Sequence, residues 1–210
     1  SEIPSVSVCP FCPGNESETP PSLLTLPEEQ SESWSVRVVP NKFAALSPGQ
    51  SKGYQRVGEL YFQMEGTGAH EVVIETPNHD QTLALLAERN VQEVLQAYRE
   101  RYRKLREESW AKMIVIFKNQ AESAGTSLTH PHSQIVATPV VPKEVRQKYA
   151  VATAHYDDTG RCIYCDVVEQ EMQIKERVVL ETDRLRKVWQ EPKGWRYWSA
   201  VNNSEVGAWY

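Results

Sequence analysis

The chain has 210 residues, 40% hydrophobic and 24% charged, a balance that supports a packed core and excludes wholesale disorder. A formal net charge of −5 argues against DNA or RNA as the main partner, because phosphate backbones select basic surfaces. A small nucleotide needs only a local pocket and stays open. No apolar run approaches the length of a membrane span and no signal peptide shows at the N-terminus, so no membrane partner and a cytoplasmic location are expected.

In chain order, the first feature is the pair Cys9/Cys12, repeated in spacing by Cys162/Cys165. In a reducing compartment such C-x-x-C pairs read as metal ligands or redox centres rather than structural disulfides. Residues 13–33 are rich in Pro, Ser and Glu and read as a surface loop with one short turn. Residues 34–39 (WSVRVV) read as a strand that stops at Pro40. Residues 47–53 read as a loop and residues 71–76 (EVVIET) as a strand ended by Pro77-Asn78.

Val91, Val94, Leu95, Tyr98, Tyr102 and Leu105 recur at helical spacing, which predicts a long amphipathic helix over roughly residues 88–108. Met113–Phe117 suits a buried strand, residues 123–126 (SAGT) a small-residue turn, and residues 135–141 an extended run ending at Pro142. The polar stretch YAVATAHYDDTG reads as a loop. Residues 187–210, with four of the tryptophans, show no period. This succession suggests an α+β sheet with a helix packed on one face.

His130-Pro131-His132-Ser133-Gln134 is the most informative stretch. If it is extended, His130, His132 and Gln134 point to one side, with successive members about 6–7 Å apart. Pro131 lacks an N–H, which places the strand at an edge or a bulge. A neutral imidazole attacks phosphorus without prior deprotonation and leaves readily from a phosphoramidate, so this row suits phosphoryl or nucleotidyl transfer. The bland alternative is a pair of core or surface histidines near a turn.

Several segments, in order, resemble the galactose-1-phosphate uridylyltransferase family, a branch of the histidine-triad superfamily. They are Cys9-Pro10-Phe11-Cys12, Pro40-Asn41-Lys42-Phe43, the run from His70 to His79, Asn119-Gln120, Ala124-Gly125-Thr126-Ser127 and the His130–Gln134 stretch. The resemblance covers roughly residues 8–182. It implies an α+β, histidine-triad-like antiparallel sheet with packed helices, a nucleotidyltransferase lobe over residues 1–160 and a partial second lobe over 161–210.

The resemblance also implies roles. His132 would be the covalent nucleophile. Cys9, Cys12, His79 and His130 would bind a structural zinc, with His70 the rival for His79's place. Ser127 and Gln134 would contact phosphate, with Asn119 near the phosphate or ribose and Asn41 and Phe43 by the base, although Phe43 also suits a core and Asn41 a turn. Lys42 stands where many uridylyltransferases carry an acid, which leaves uridine and adenine nucleotides both open.

Cys162 and Cys165 resemble half of a second metal site, and His155 is the one further donor in that part of the sequence. The Arg-bearing strand expected ahead of the first C-x-x-C and a homologous second half are not recognisable. The implied reaction exchanges hexose 1-phosphate (galactose 1-phosphate) on UDP-glucose by way of a uridylyl-histidine, in a homodimer. Phosphorolysis of ADP-glucose, hydrolysis of nucleotide conjugates and an inactive zinc-stabilised nucleotide-binding module are the alternatives.

Overall fold

The computed structural model describes residues 9–27, 33–49, 53–120, 124, 128–181, 185–188 and 198–200. Ser127, most of the SAGT turn and most of residues 187–210 lie outside the described residues. Two compact units form, Ser1–Val141 and Pro142–Tyr210. Among the described residues, no helix is long and apolar enough to cross a membrane.

The first unit is built on an antiparallel sheet of β1 (Leu24–Leu26), β2 (Val36–Pro40), β5 (Ala69–Ile74), β6 (Met113–Phe117) and β7 (His132–Thr138), in the order β1-β2-β5-β7-β6. A separate hairpin pairs β3 (Gln55–Val57) with β4 (Tyr61–Gln63). The β-branched residues of β2 and β5 suit central strands, where both faces must be covered. Because side chains alternate along each strand, the register sorts the sheet into two faces.

One face carries Val36, Val38, Val73, Ile135 and Ala137, packed with Val94, Ala97 and Leu105 of helix α1 (Glu88–Arg106). The predicted helix is there, but Leu95 points outward and is 58% exposed; Ala97 takes its place against the sheet. Polar groups on this face are paired as burial requires. Arg101 of α1 donates both arms to Glu71, at 2.8 and 2.7 Å. Tyr98 meets Ser133 at 2.7 Å, and Lys118 meets the fully buried Glu75 at 2.6 Å.

The other face carries Val39, Val72 and Ile74, packed by Phe11. His70, His132 and Gln134 alternate onto this same face. Four expectations need correction. Residues 13–33, read as a surface loop, contribute the edge strand β1 and bury Leu26 in the core. The His132 strand is central, not an edge, since β7 lies between β5 and β6. Pro131 sits just ahead of the strand, where its missing N–H costs no ladder bond and its carbonyl accepts from Glu75 N at 3.2 Å. The pairing with β6 stops at Gln134, so the flank of His132 and Ser133 on that side is open all the same.

β6 is not a buried strand. It lies at the sheet edge, and Val115 and Phe117 are exposed on the face that α1 does not cover. Finally, the polar stretch read as a loop is the C-terminal part of α2 (Lys143–Thr159). It buries no residue, so it lacks the apolar period by which a helix is recognised. Pro142 stands at its N-cap and Gly160, with φ of 68°, ends it. α2 packs with α3 (Ile163–Ile174) in the second unit, which also holds β8 (Val178–Glu181), β9 (Leu185–Val188) and β10 (Trp198–Ala200).

One glycine is demanded by the sheet. A Cβ at Gly68 would collide with the Ala137 backbone carbonyl and would come within 2.8 Å of Leu46 Cδ1. Gly68→Ala is therefore expected to destabilise the fold by about 2 kcal/mol or more, read as a lower urea midpoint. Gly66→Ala is the control: its Cβ would meet nothing closer than 3.9 Å, and it should be near neutral.

Candidate active site

Four side chains converge at one end of the open face. Cys9 and Cys12 come from the N-terminal knuckle, His79 from the turn after β5, and His130 from the residues leading into β7. Their ligand atoms all lie within 4.8 Å of one another. Cys12 Sγ is 3.4 Å from His79 Nδ1 and 3.6 Å from His130 Nδ1, and Cys9 Sγ is 3.7 Å from His130 Nδ1. A tetrahedral ion with M–S near 2.3 Å and M–N near 2.05 Å requires S···N separations of about 3.6 Å. The donor set fits such an ion.

The remaining ring nitrogens are also occupied. His130 Nε2 donates to the Thr76 carbonyl at 2.8 Å and His79 Nε2 meets Thr129 Oγ1 at 2.9 Å. These outer partners fix the rings with Nδ1 turned to the thiols. Complete burial pulls His130 below the ordinary imidazole value, which favours the neutral form that a metal needs. His70 is not part of this group; it lies further along β5, at the opposite end.

His132 follows two residues after His130. Its Nδ1–H donates to the His130 carbonyl at 2.8 Å. That bond fixes the tautomer and leaves Nε2 with a lone pair. No hydrogen bond to Nε2 occurs among the described residues. Phe11, held between the two thiols in sequence, packs edge-on against His132 at 5.5 Å and against His130 at 5.9 Å. The metal-type cluster and the free imidazole are thus joined through one backbone carbonyl and one aromatic ring.

Gln134 sits two residues further on the same face, with Oε1 2.7 Å from His70 Nε2. Asn41 Nδ2 lies 3.1 Å from the same nitrogen. Asn119 is half-buried and lies two residues past the end of β6. Phe43 is 85% exposed and is therefore no core residue. Lys118 donates to the His132 carbonyl at 3.3 Å as well as to Glu75.

Sequence reasoning passed over three of these participants. Phe11 was visible only as a residue inside a C-x-x-C, Lys118 only as the end of a strand, and His70 only as a rival metal ligand.

A family model described as galactose-1-phosphate uridyl transferase, N-terminal domain, matches residues 5–142. The chain belongs to the galactose-1-phosphate uridylyltransferase family. It is similar to an ADP-glucose phosphorylase from Arabidopsis thaliana, 34% identical over 82% of this chain and 49% of that protein. It is also similar to a galactose-1-phosphate uridylyltransferase from Thermotoga maritima, 29% identical over 87% of this chain and 53% of that one.

Among solved structures, an ADP-glucose phosphorylase from Arabidopsis thaliana with bound ADP-glucose matches with a TM-score of 0.71 at 30% identity, covering 90% of this chain and 56% of that chain. The fold is thus the α+β, histidine-triad-like sheet that the motifs implied. The chain spans about half the length of the curated relatives it matches.

The second C-x-x-C lies at the start of α3, with Cys162 at the N-cap. Backbone N–H of Cys165 holds the Cys162 thiol below its ordinary value. His155 pairs with Asp166 at 3.2 Å. Among the described residues, the metal-type grouping is the Cys9 cluster alone.

Proposed function

We propose that this chain is the nucleophile-bearing part of a nucleotidyltransferase that acts on nucleotide sugars through a nucleotidylated His132. The observation that carries this reading is the 2.8 Å bond from His132 Nδ1 to the His130 carbonyl. It fixes the tautomer and the ring orientation, with Nε2 as the attacking atom.

In the first step, Nε2 attacks the α-phosphorus of UDP-glucose, forming the N–P bond as the P–O bond to glucose 1-phosphate breaks. The phosphoryl-imidazolium that results is stabilised through Nδ1–H by the carbonyl. In the second, the phosphate oxygen of galactose 1-phosphate attacks the same phosphorus and the imidazole leaves with its lone pair restored. N–H donors of Gln134, with Asn119 and Ser127, would stabilise the charge on the non-bridging oxygens. Asn41 and the exposed ring of Phe43 would receive the base.

Zinc is the metal assigned to Cys9, Cys12, His79 and His130, on the thiolate-imidazole donor set and its tetrahedral spacing. Bound there, it would supply rigidity to the knuckle and to His130. It would be a structural ion, since four protein donors leave it no open position for substrate. The candidate site lies within the unit Ser1–Val141, which supports a transferase lobe over residues 1–160, with residues 161–210 as a partial second lobe in this reading.

A second reading, phosphorolysis of ADP-glucose, is favoured by the 34% identity to the Arabidopsis phosphorylase. It uses the same first step and replaces hexose 1-phosphate with inorganic phosphate. Labelling with base-labelled UDP-glucose and ADP-glucose separates them. Acid-labile label on His132 from UDP-glucose, discharged by galactose 1-phosphate, supports the exchange; label from ADP-glucose, discharged by phosphate, supports phosphorolysis. Label from neither would sink both.

A further inference from the structure

Gln134 is two residues beyond His132 on β7, and its side chain stands on the same face. A glutamine amide has two ends that differ in polarity: the oxygen accepts and the nitrogen donates. Whichever end is left beside His132 decides whether the site welcomes or repels an anionic oxygen.

The neighbouring bonds decide it. A backbone N–H can only donate, and that of Ala45 donates to His70 Nδ1 at 3.2 Å. Nδ1 is therefore the bare nitrogen of His70, and Nε2 carries the ring proton. That Nε2–H donates to Gln134 Oε1 at 2.7 Å. With its oxygen committed, Gln134 keeps its NH2 group for a ligand.

Asn41 follows the same logic. Its Oδ1 accepts the Phe43 N–H at 2.9 Å, which makes Nδ2, 3.1 Å from His70 Nε2, the donor end of the amide. Two backbone N–H groups of the residues after β2 thereby set the polarity of two side-chain amides.

We propose that His70 is a positioning residue that passes the donor polarity of the Ala45 backbone to Gln134, so that the Gln134 amide offers N–H to a phosphate oxygen at His132. This deepens the proposed role of the His132 face and rests on it for the identity of the ligand. The hydrogen-bond polarity itself does not depend on that role. His70 would touch no substrate atom; its effect would come wholly through Gln134.

The first test needs no turnover. Long-range proton–nitrogen correlation of the imidazoles in the full chain, which has five histidines, is expected to show His70 as the Nε2–H tautomer. An Nδ1–H tautomer, or a mixture, overturns the proposal whatever the enzyme does.

The second test is the rate of His132 labelling by the nucleotide sugar that labels the wild type. His70→Phe removes the donor and should slow labelling roughly tenfold. His70→Gln restores an N–H and should recover most of that loss. In a Gln134→Leu background His70→Phe should cost nothing more. Equal losses for Phe and Gln, or fully additive losses with Gln134→Leu, overturn the proposal. If the wild type takes no label, the His132 reading fails and the tautomer alone decides the His70 proposal.

Discussion

His132→Ala is expected to abolish nucleotidyl-enzyme formation and to lower turnover by roughly 10⁴-fold or more, since loss of a covalent nucleophile leaves only binding and electrostatic contributions. The measurement is acid-labile label on the isolated chain after incubation with base-labelled nucleotide sugar. The variant should still fold. It loses one hydrogen bond, to the His130 carbonyl, and the edge contact with Phe11, a cost of about 1–3 kcal/mol that a thermal melt will register. Label retained at the wild-type level in the folded variant would move the nucleophile elsewhere.

The second large effect belongs to the metal cluster. Cys12→Ser is expected to remove about one zinc equivalent per chain by elemental analysis, and a strong chelator should do the same to the wild type. Structural zinc sites contribute about 10–16 kcal/mol in isolated fingers, comparable to the whole stability of an ordinary domain. Loss of the ion should therefore lower the melting temperature by at least about 10 °C. Labelling of His132 should fall with it, because the knuckle holds Phe11 against the imidazole and His130 supplies its carbonyl. An unchanged melting temperature together with no zinc in the wild type would show that the cluster is a set of free thiols and imidazoles.

These two effects are linked by short covalent paths. His132, the proposed nucleophile, is two residues from a metal-type ligand, and Phe11 is flanked in sequence by Pro10 and Cys12. Loss of an ion bound at this cluster would thus be felt at the imidazole without any group having to move far. Lys118 adds a second hold on His132 from the opposite side of the sheet, through the His132 carbonyl and the buried Glu75. That pair stabilises the strand end where the pairing with β6 has already stopped.

How much of this was legible in the sequence depended on the range of the interaction. Met113–Phe117 and the helix from Glu88 were readable because β-branched runs and a 3.6-residue period are local signals. α2 was not, because a helix that buries nothing carries no such period. The edge position inferred from Pro131 failed for a related reason. Proline reports on its own N–H, and that group lies just outside the ladder. Which strand flanks β7 is set by pairing across the chain.

The amino-acid sequence by itself determined the order of the motifs, the family they resemble and the chemistry available to two thiols and a row of imidazoles. It chose His79 over His70 as the metal ligand on motif match alone, since the two have the same side chain. Only the tertiary structure showed where each ring goes. Cys9 and His130 are 121 positions apart, and the sheet that brings them together also carries His79 around to Cys12 while turning His70 toward Gln134. Side-chain chemistry is written residue by residue, but which groups share a face depends on strand register, and register is settled by burying Val72 and Ile74 on one side and Val73 and Ile135 on the other.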